Sequence, residues 1–284
     1  MKTIRMEEMT WPEIRDAIDR GFTTVVMAVG STEQHGPHLP TMTDTRIGDA
    51  LAQVVAVKLG KALQARTVPF GCSEHHLAFG GTISLKPDTL RLVLLDAVDS
   101  LIRDGFKRVI FLPSHGGNFG TVRQAVEEAR SSHSGVDITG YTDLQGFVGV
   151  LFAASAEFGI GEEESGAHAG ESETSIMMDL EGSLVEADRL APGYLGPTGE
   201  KELALILEKG MPALTSNGVL GDPRRASAEK GRRYLDKLAG FLADYFSRTE
   251  AGGRVRTVFL DRVRIAPKPM ISQETASGMI CNGR

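Results

Sequence analysis

At 284 residues, with 41% hydrophobic and 24% charged content, the chain fits one large α/β domain or two smaller ones. Its formal net charge of -6 argues against a nucleic-acid partner, because phosphate contacts need a basic surface. No apolar run approaches the ~18 residues of a membrane span, and Cys72 and Cys281 are too few for a disulfide framework or a Cys-rich zinc site.

The N-terminal residues Met1-Lys2-Thr3-Ile4-Arg5 lack the apolar core of a signal peptide, so a cytoplasmic protein is expected. Thr10-Trp11-Pro12-Glu13 predicts a helix start, with Thr10 as cap, Pro12 in the first turn and Glu13 completing a capping box. Residues 23–29 are β-branched and apolar and predict a buried strand. Directly after it runs Gly30-Ser31-Thr32-Glu33-Gln34-His35-Gly36-Pro37-His38-Leu39-Pro40, followed by Asp44. Glu33 and His35 lie two apart and point the same way in an extended backbone. Asp44 opens a helix that carries Ile47, Leu51, Val54 and Val55 at helical spacing.

A short strand is expected over 65–70, then a Gly/His-rich loop, and a long amphipathic helix from Lys86-Pro87-Asp88 to about Asp104. Another buried strand, 108–112, ends at Pro113-Ser114-His115-Gly116-Gly117-Asn118. Residues 122–129 read as helix and 136–141 as strand. The Gly/Glu-rich stretch 155–172 reads as a loop, whose acidic run 162–164 is solvated and has no catalytic role. It leads into His168-Ala169-Gly170-Glu171-Ser172-Glu173 and a helix, and a final helix covers about 227–247. Single strands alternating with helices predict a parallel sheet covered on both faces.

Six of the seven histidines fall in four loop-like motifs: His35 and His38, His75 and His76, His115, and His168. His35 and His115 both follow buried strands and would emerge at one edge of a parallel sheet, where α/β proteins bind ligands. Together with Glu33, Asp44 and Glu171 they are hard to explain without a metal. Mixed carboxylate and imidazole donors suit Zn²⁺, Mn²⁺ and Fe²⁺. A nucleotide loop and a serine hydrolase are both poorly supported, since neither a Gly-x-Gly-x-x-Gly, a P-loop nor a Gly-x-Ser-x-Gly elbow occurs.

The first motif, Phe79-Gly80-Gly81-Thr82-Ile83-Ser84-Leu85, His115-Gly116-Gly117-Asn118 and His168-Ala169-Gly170-Glu171-Ser172-Glu173-Thr174-Ser175 together resemble the creatininase family. The resemblance implies a three-layer αβα sandwich over 1–250; the tail 251–284 has no counterpart in it and, from its own apolar residues, is read as an oligomerisation arm. It implies two divalent ions per subunit, one held by Glu33, Asp44 and His115, the other by Asp44 and His35. Creatininase has a further carboxylate just after the His115 position. This chain has Gly116-Gly117 there, and Glu171 is the expected replacement. His168 matches the catalytic histidine, and Glu173 is expected to orient it or a helix end. His38, His75, His76 and Phe79 are expected on the substrate side. Gly80 and His75-His76 depart from the family pattern.

The expected activity is hydrolysis of a C–N bond in a small, often cyclic, amide by a metal-activated water, with His168 protonating the leaving nitrogen. Two alternatives stay within the chemistry: a deformylase of a formamidopyrimidine nucleotide and a peptidase of a modified peptide. A third, a non-catalytic metal-binding subunit, is of another class. A homo-oligomer, hexameric as in creatininase-like proteins, is expected.

Overall fold

A chain that alternates apolar strands with amphipathic helices buries those strands in a parallel sheet with helices on both sides. The computed structural model has that form over residues 1–249, the residues it describes. The tail expected over 251–284 lies outside them. Helix α1 (Trp11–Asp19) starts at Thr10, whose backbone N–H donates to Glu13 Oε2 at 2.7 Å. There follow β1 (Thr24–Val29), α2 (Thr43–Leu59), β2 (Ala62–Val68), α3 (Pro87–Asp104), β3 (Arg108–Pro113), α4 (Phe119–Ser132) and β4 (Asp137–Gly140). Helices α5 (Leu144–Ala156), α6 (Glu162–Ser165), α7 (Glu171–Glu181), α8 (Glu200–Lys209) and α9 (Ala228–Thr249) complete the described chain.

The four strands are parallel in the order β2-β1-β3-β4. Alternation along the strands divides the core. Val26, Ala28, Ile110 and Leu112 pack against α2, α5, α7 and α9. Val25, Val29, Leu63, Ala65, Val109, Phe111 and Ile138 face α1, α3 and α4. The three-layer αβα arrangement is therefore borne out. Among the described residues no helix is long and apolar enough to cross a membrane.

Two local expectations shift. β2 begins at Ala62 and stops at Val68, because Pro69 has no N–H to give the ladder. The stretch expected as loop holds the short α6 and the end of α5. α5 is apolar nearly all round, which hides its period, but Asp143 caps it by accepting from the Gly146 N–H at 2.9 Å. β1 and β3 run parallel with Val29 opposite Pro113, so the loops after both leave at one edge.

Candidate metal centre

That edge is drawn together by backbone and amide bonds. The Ser114 N–H donates to the Val29 carbonyl at 3.0 Å, and the Ser114 hydroxyl to the Asp44 carbonyl at 2.8 Å. Asn118 Nδ2 donates to the carbonyls of Val29 and Gly30, while its Oδ1 accepts from the Cys72 N–H at 2.9 Å. One side chain thus joins the loop after β1, the loop after β2 and the start of α4. The sequence offered no signal for this role.

Glu33, His35, Asp44 and His115 are all buried, and their polar atoms converge. His115 Nδ1 lies 3.2 Å from Glu33 Oε2 and 3.3 Å from Asp44 Oδ2. His35 Nε2 lies 3.3 Å from Asp44 Oδ1 and 3.8 Å from Glu173 Oε2. Asp44 therefore turns one oxygen to each imidazole. The far nitrogens are engaged with the backbone: His115 Nε2 stands 3.1 Å from the Cys72 carbonyl and His35 Nδ1 3.2 Å from the Glu33 carbonyl. A carbonyl only accepts, so each of those nitrogens carries the ring proton. In a neutral imidazole the lone pair then faces the carboxylates.

Lone pairs facing carboxylates repel unless a cation separates them. Both Glu33 oxygens, Asp44 Oδ2 and His35 Nε2 are buried with no hydrogen-bond partner, a set that divalent ions would satisfy. The residues present fit such ions. Protonation reflects the same field. Burial opposes a charge on His35, yet Asp44, Glu173 and Glu33 outweigh it and hold that imidazole at about 9. His115 is likewise raised against burial, chiefly by Glu33. Asp44, despite burial, is held well below the usual carboxylate range by His35 and His115. Burial pushes Glu173 up to about 7.

Glu171, expected as a ligand, is not brought to this cluster. Its carboxylate accepts from Lys230 Nζ and the Ser175 hydroxyl at 2.8 Å each, and from the Tyr234 hydroxyl at 3.1 Å. Glu171 and Glu173 are the first and third residues of α7, and residues two apart on a helix face nearly opposite ways. Glu173 is the one turned to His35. It also accepts from the Ala169 N–H at 2.6 Å, which holds Ala169 in a left-handed conformation at φ 52.

His168 joins the cluster from the loop before α7, with Nδ1 3.7 Å from Glu33 Oε1 and Nε2 2.8 Å from the Gln34 carbonyl. Nε2 must carry its proton, and Nδ1 looks toward the carboxylates. Burial and the neighbouring His35 hold it well below the ordinary imidazole range. His76 Nε2 lies 3.3 Å from Glu33 Oε1. His75 is half-buried and stacked 5.8 Å from His115, with burial pushing it down to about 4. His38 is turned under α7, its Nε2 2.9 Å from the Thr174 hydroxyl. Phe79 packs against Ile206, Met211 and Leu220.

Residues 7–246 match the creatininase family, described as creatinine amidohydrolase. A mycofactocin precursor peptide peptidase of Mycobacterium ulcerans (strain Agy99) is 33% identical over 251 residues, covering 86% of this chain and 88% of the relative. A creatinine amidohydrolase of Pseudomonas putida is 26% identical, covering 86% and 96%. Two solved creatininases, a mutant of zinc–zinc type and a manganese form, superpose with a TM-score of 0.72 at 25% identity. They cover 88% and 87% of this chain and 99% of their own. The chain belongs to the creatininase family, and so to the amidohydrolases.

Proposed function

We propose that the chain is a two-metal amidohydrolase that cleaves a C–N bond outside ordinary peptide linkages, in a small and neutral substrate. The observation that carries this reading is the set of buried, unpartnered ligand atoms on Glu33, His35 and Asp44. Glu33, Asp44 and His115 would hold one divalent ion, and Asp44, His35 and Glu173, in place of Glu171, the other. Zinc or manganese suits this donor set, and the solved creatininases include a zinc–zinc and a manganese form. When bound, such ions supply Lewis acidity and bring the pKa of water down toward ~7.

The chain's own residues then manage protons and orientation. His168 Nδ1, with its ring fixed through Nε2 to the Gln34 carbonyl, takes up a proton and returns it to the leaving nitrogen. Its depressed basicity makes the imidazolium a strong acid, which suits a poor amine leaving group. His75, half-buried above His115, is placed for the substrate side. The arginines that could have served a phosphate are engaged elsewhere: Arg224 holds Asp222, and Arg225 holds Glu164 at 3.1 Å. That favours a neutral amide over a formamidopyrimidine nucleotide.

A second reading, a peptidase of a modified peptide, is favoured by the 33% identity to the mycofactocin precursor peptide peptidase over 86% of the chain. A panel of neutral lactams, linear amides, a formamidopyrimidine nucleotide and peptides with a modified C-terminus, read by released amine, tests both. Turnover of the nucleotide alone defeats both readings. For the assembly we propose a homo-oligomer, expected as a hexamer. Trp11, Val57 and Leu207 are 79%, 64% and 62% exposed in a single chain, which supports such contacts. Light scattering that reports a monomer at micromolar concentration removes it.

A further inference from the structure

Gln34 stands between two proposed ligands in the chain, is itself buried, and its carboxamide is bonded at every atom. Oε1 accepts from the Gly36 N–H at 2.9 Å, which fixes the amide orientation and leaves Nε2 on the side of the histidines. Nε2 lies 3.3 Å from the Gly218 carbonyl, 2.8 Å from His76 Nδ1 and 3.1 Å from His168 Nε2. The seat is built for it: Gly218 has φ +82, and a Cβ there would stand 2.0 Å from Gln34 Oε1. The Gln34 backbone is held too, its N–H donating to the Thr82 hydroxyl at 3.1 Å.

Counting hydrogens resolves the tautomers. Nε2 has two, and the Gly218 carbonyl, which only accepts, takes one. His168 Nε2 is itself a donor, to the Gln34 carbonyl, so it cannot take the second. The second goes to His76 Nδ1, which must be bare. The His76 proton then sits on Nε2, facing Glu33 Oε1 at 3.3 Å.

We propose that Gln34 is a positioning residue that locks His76 as the Nε2–H tautomer, so that His76 presents an N–H and not a lone pair toward Glu33 Oε1, 3.3 Å away, and is neither a metal ligand nor a substrate contact. A chain of donors runs from the Gly36 N–H through Gln34 to His76, whose remaining N–H faces Glu33 Oε1, while the second Glu33 oxygen, Oε2, faces His115. The same residue's carbonyl orients His168, so one glutamine sets two of the three rings that border Glu33. This rests on the two-metal reading of Glu33.

The test is ring ¹⁵N NMR of the full chain, metal-free and loaded with Zn²⁺, with His76 assigned by its loss in His76→Asn, beside zinc titrations. In the wild type His76 is expected to show a bare Nδ1 and a protonated Nε2, in both states. Gln34→Glu puts an acceptor against Nδ1 and is expected to invert that pattern and weaken zinc binding about 10–100-fold, as loss of support for a ligand does. A protonated Nδ1 in the wild type overturns the proposal, with no need for a folded variant. An unchanged tautomer and unchanged zinc affinity in Gln34→Glu overturn it too. The spectrum does not depend on turnover, so it can fail while the hydrolase reading stands, and the reverse.

Discussion

Glu171 and Glu173 differ by one residue of separation and by everything around them. Glu173 looks to His35 across 3.8 Å, while Glu171 is fully buried against Lys230 and Tyr234. Glu173→Gln is expected to lower the occupancy of one of two ions by about 10-fold or more while leaving the fold intact. Glu171→Gln should do the opposite: it keeps both ions and, by leaving the half-buried Lys230 ammonium without its carboxylate, costs about 1–3 kcal/mol of stability. Elemental analysis and urea midpoints on the two variants decide between them, and exchanged results would return Glu171 to the metal site. His168→Ala is expected to keep its metal content and lose turnover by ~100-fold or more. Loss of metal instead would make His168 a ligand.

Helix α7 carries Glu173 only as well as α9 holds α7. The two pack so closely that a Cβ at Gly231 would meet the Ser175 carbonyl oxygen at 1.9 Å. Lys230, the preceding residue, reaches Glu171, and Tyr234 follows one turn later. Gly231→Ala must push the two helices apart. The expected cost is about 1–3 kcal/mol from overpacking, together with weaker binding of the ion that Glu173 would hold. A thermal midpoint and a zinc titration on that variant check it. Unchanged values for both would mean that the α7–α9 contact does not set the position of Glu173.

Across the whole molecule, metal and protons compete for one buried cluster. Burial disfavours the His35 charge, but Asp44 and the glutamates outweigh it and hold it at about 9, above the ~6.5 of an unfolded chain. A folded-state pKa raised in this way stabilises fully below about 6.5, and the stabilisation is lost as pH rises through about 9. The metal-free protein is therefore expected to lose thermal stability between those values. With zinc the trend reverses, because ligands must shed protons to bind and bound metal stabilises by mass action. Melting curves at both pH values, in chelator and in zinc, test this. Parallel trends would mean that the cluster takes no ion.

Local sequence carried much of this protein in readable form. The β-branched run before Gly30 and the apolar run 108–112 specified the two central strands, since a short continuous apolar run with turn residues after it suits a strand buried on both faces. Glu33, His35, Asp44 and His115 could be placed at one sheet edge because parallel strands must end together. What the sequence could not decide was which face each α7 carboxylate presents, because that depends on α9, whose Lys230 and Tyr234 lie about sixty residues away. Nor could it place Gln34, which lies between Glu33 and His35 in the irregular loop after β1. Only after the segments around Gly36, His76 and Gly218 are folded against one another does its amide find its three partners. The strands and the edge at which they end follow from patterns within the chain, whereas strand order and the direction of a buried polar side chain are set by partners that only the tertiary fold brings within reach.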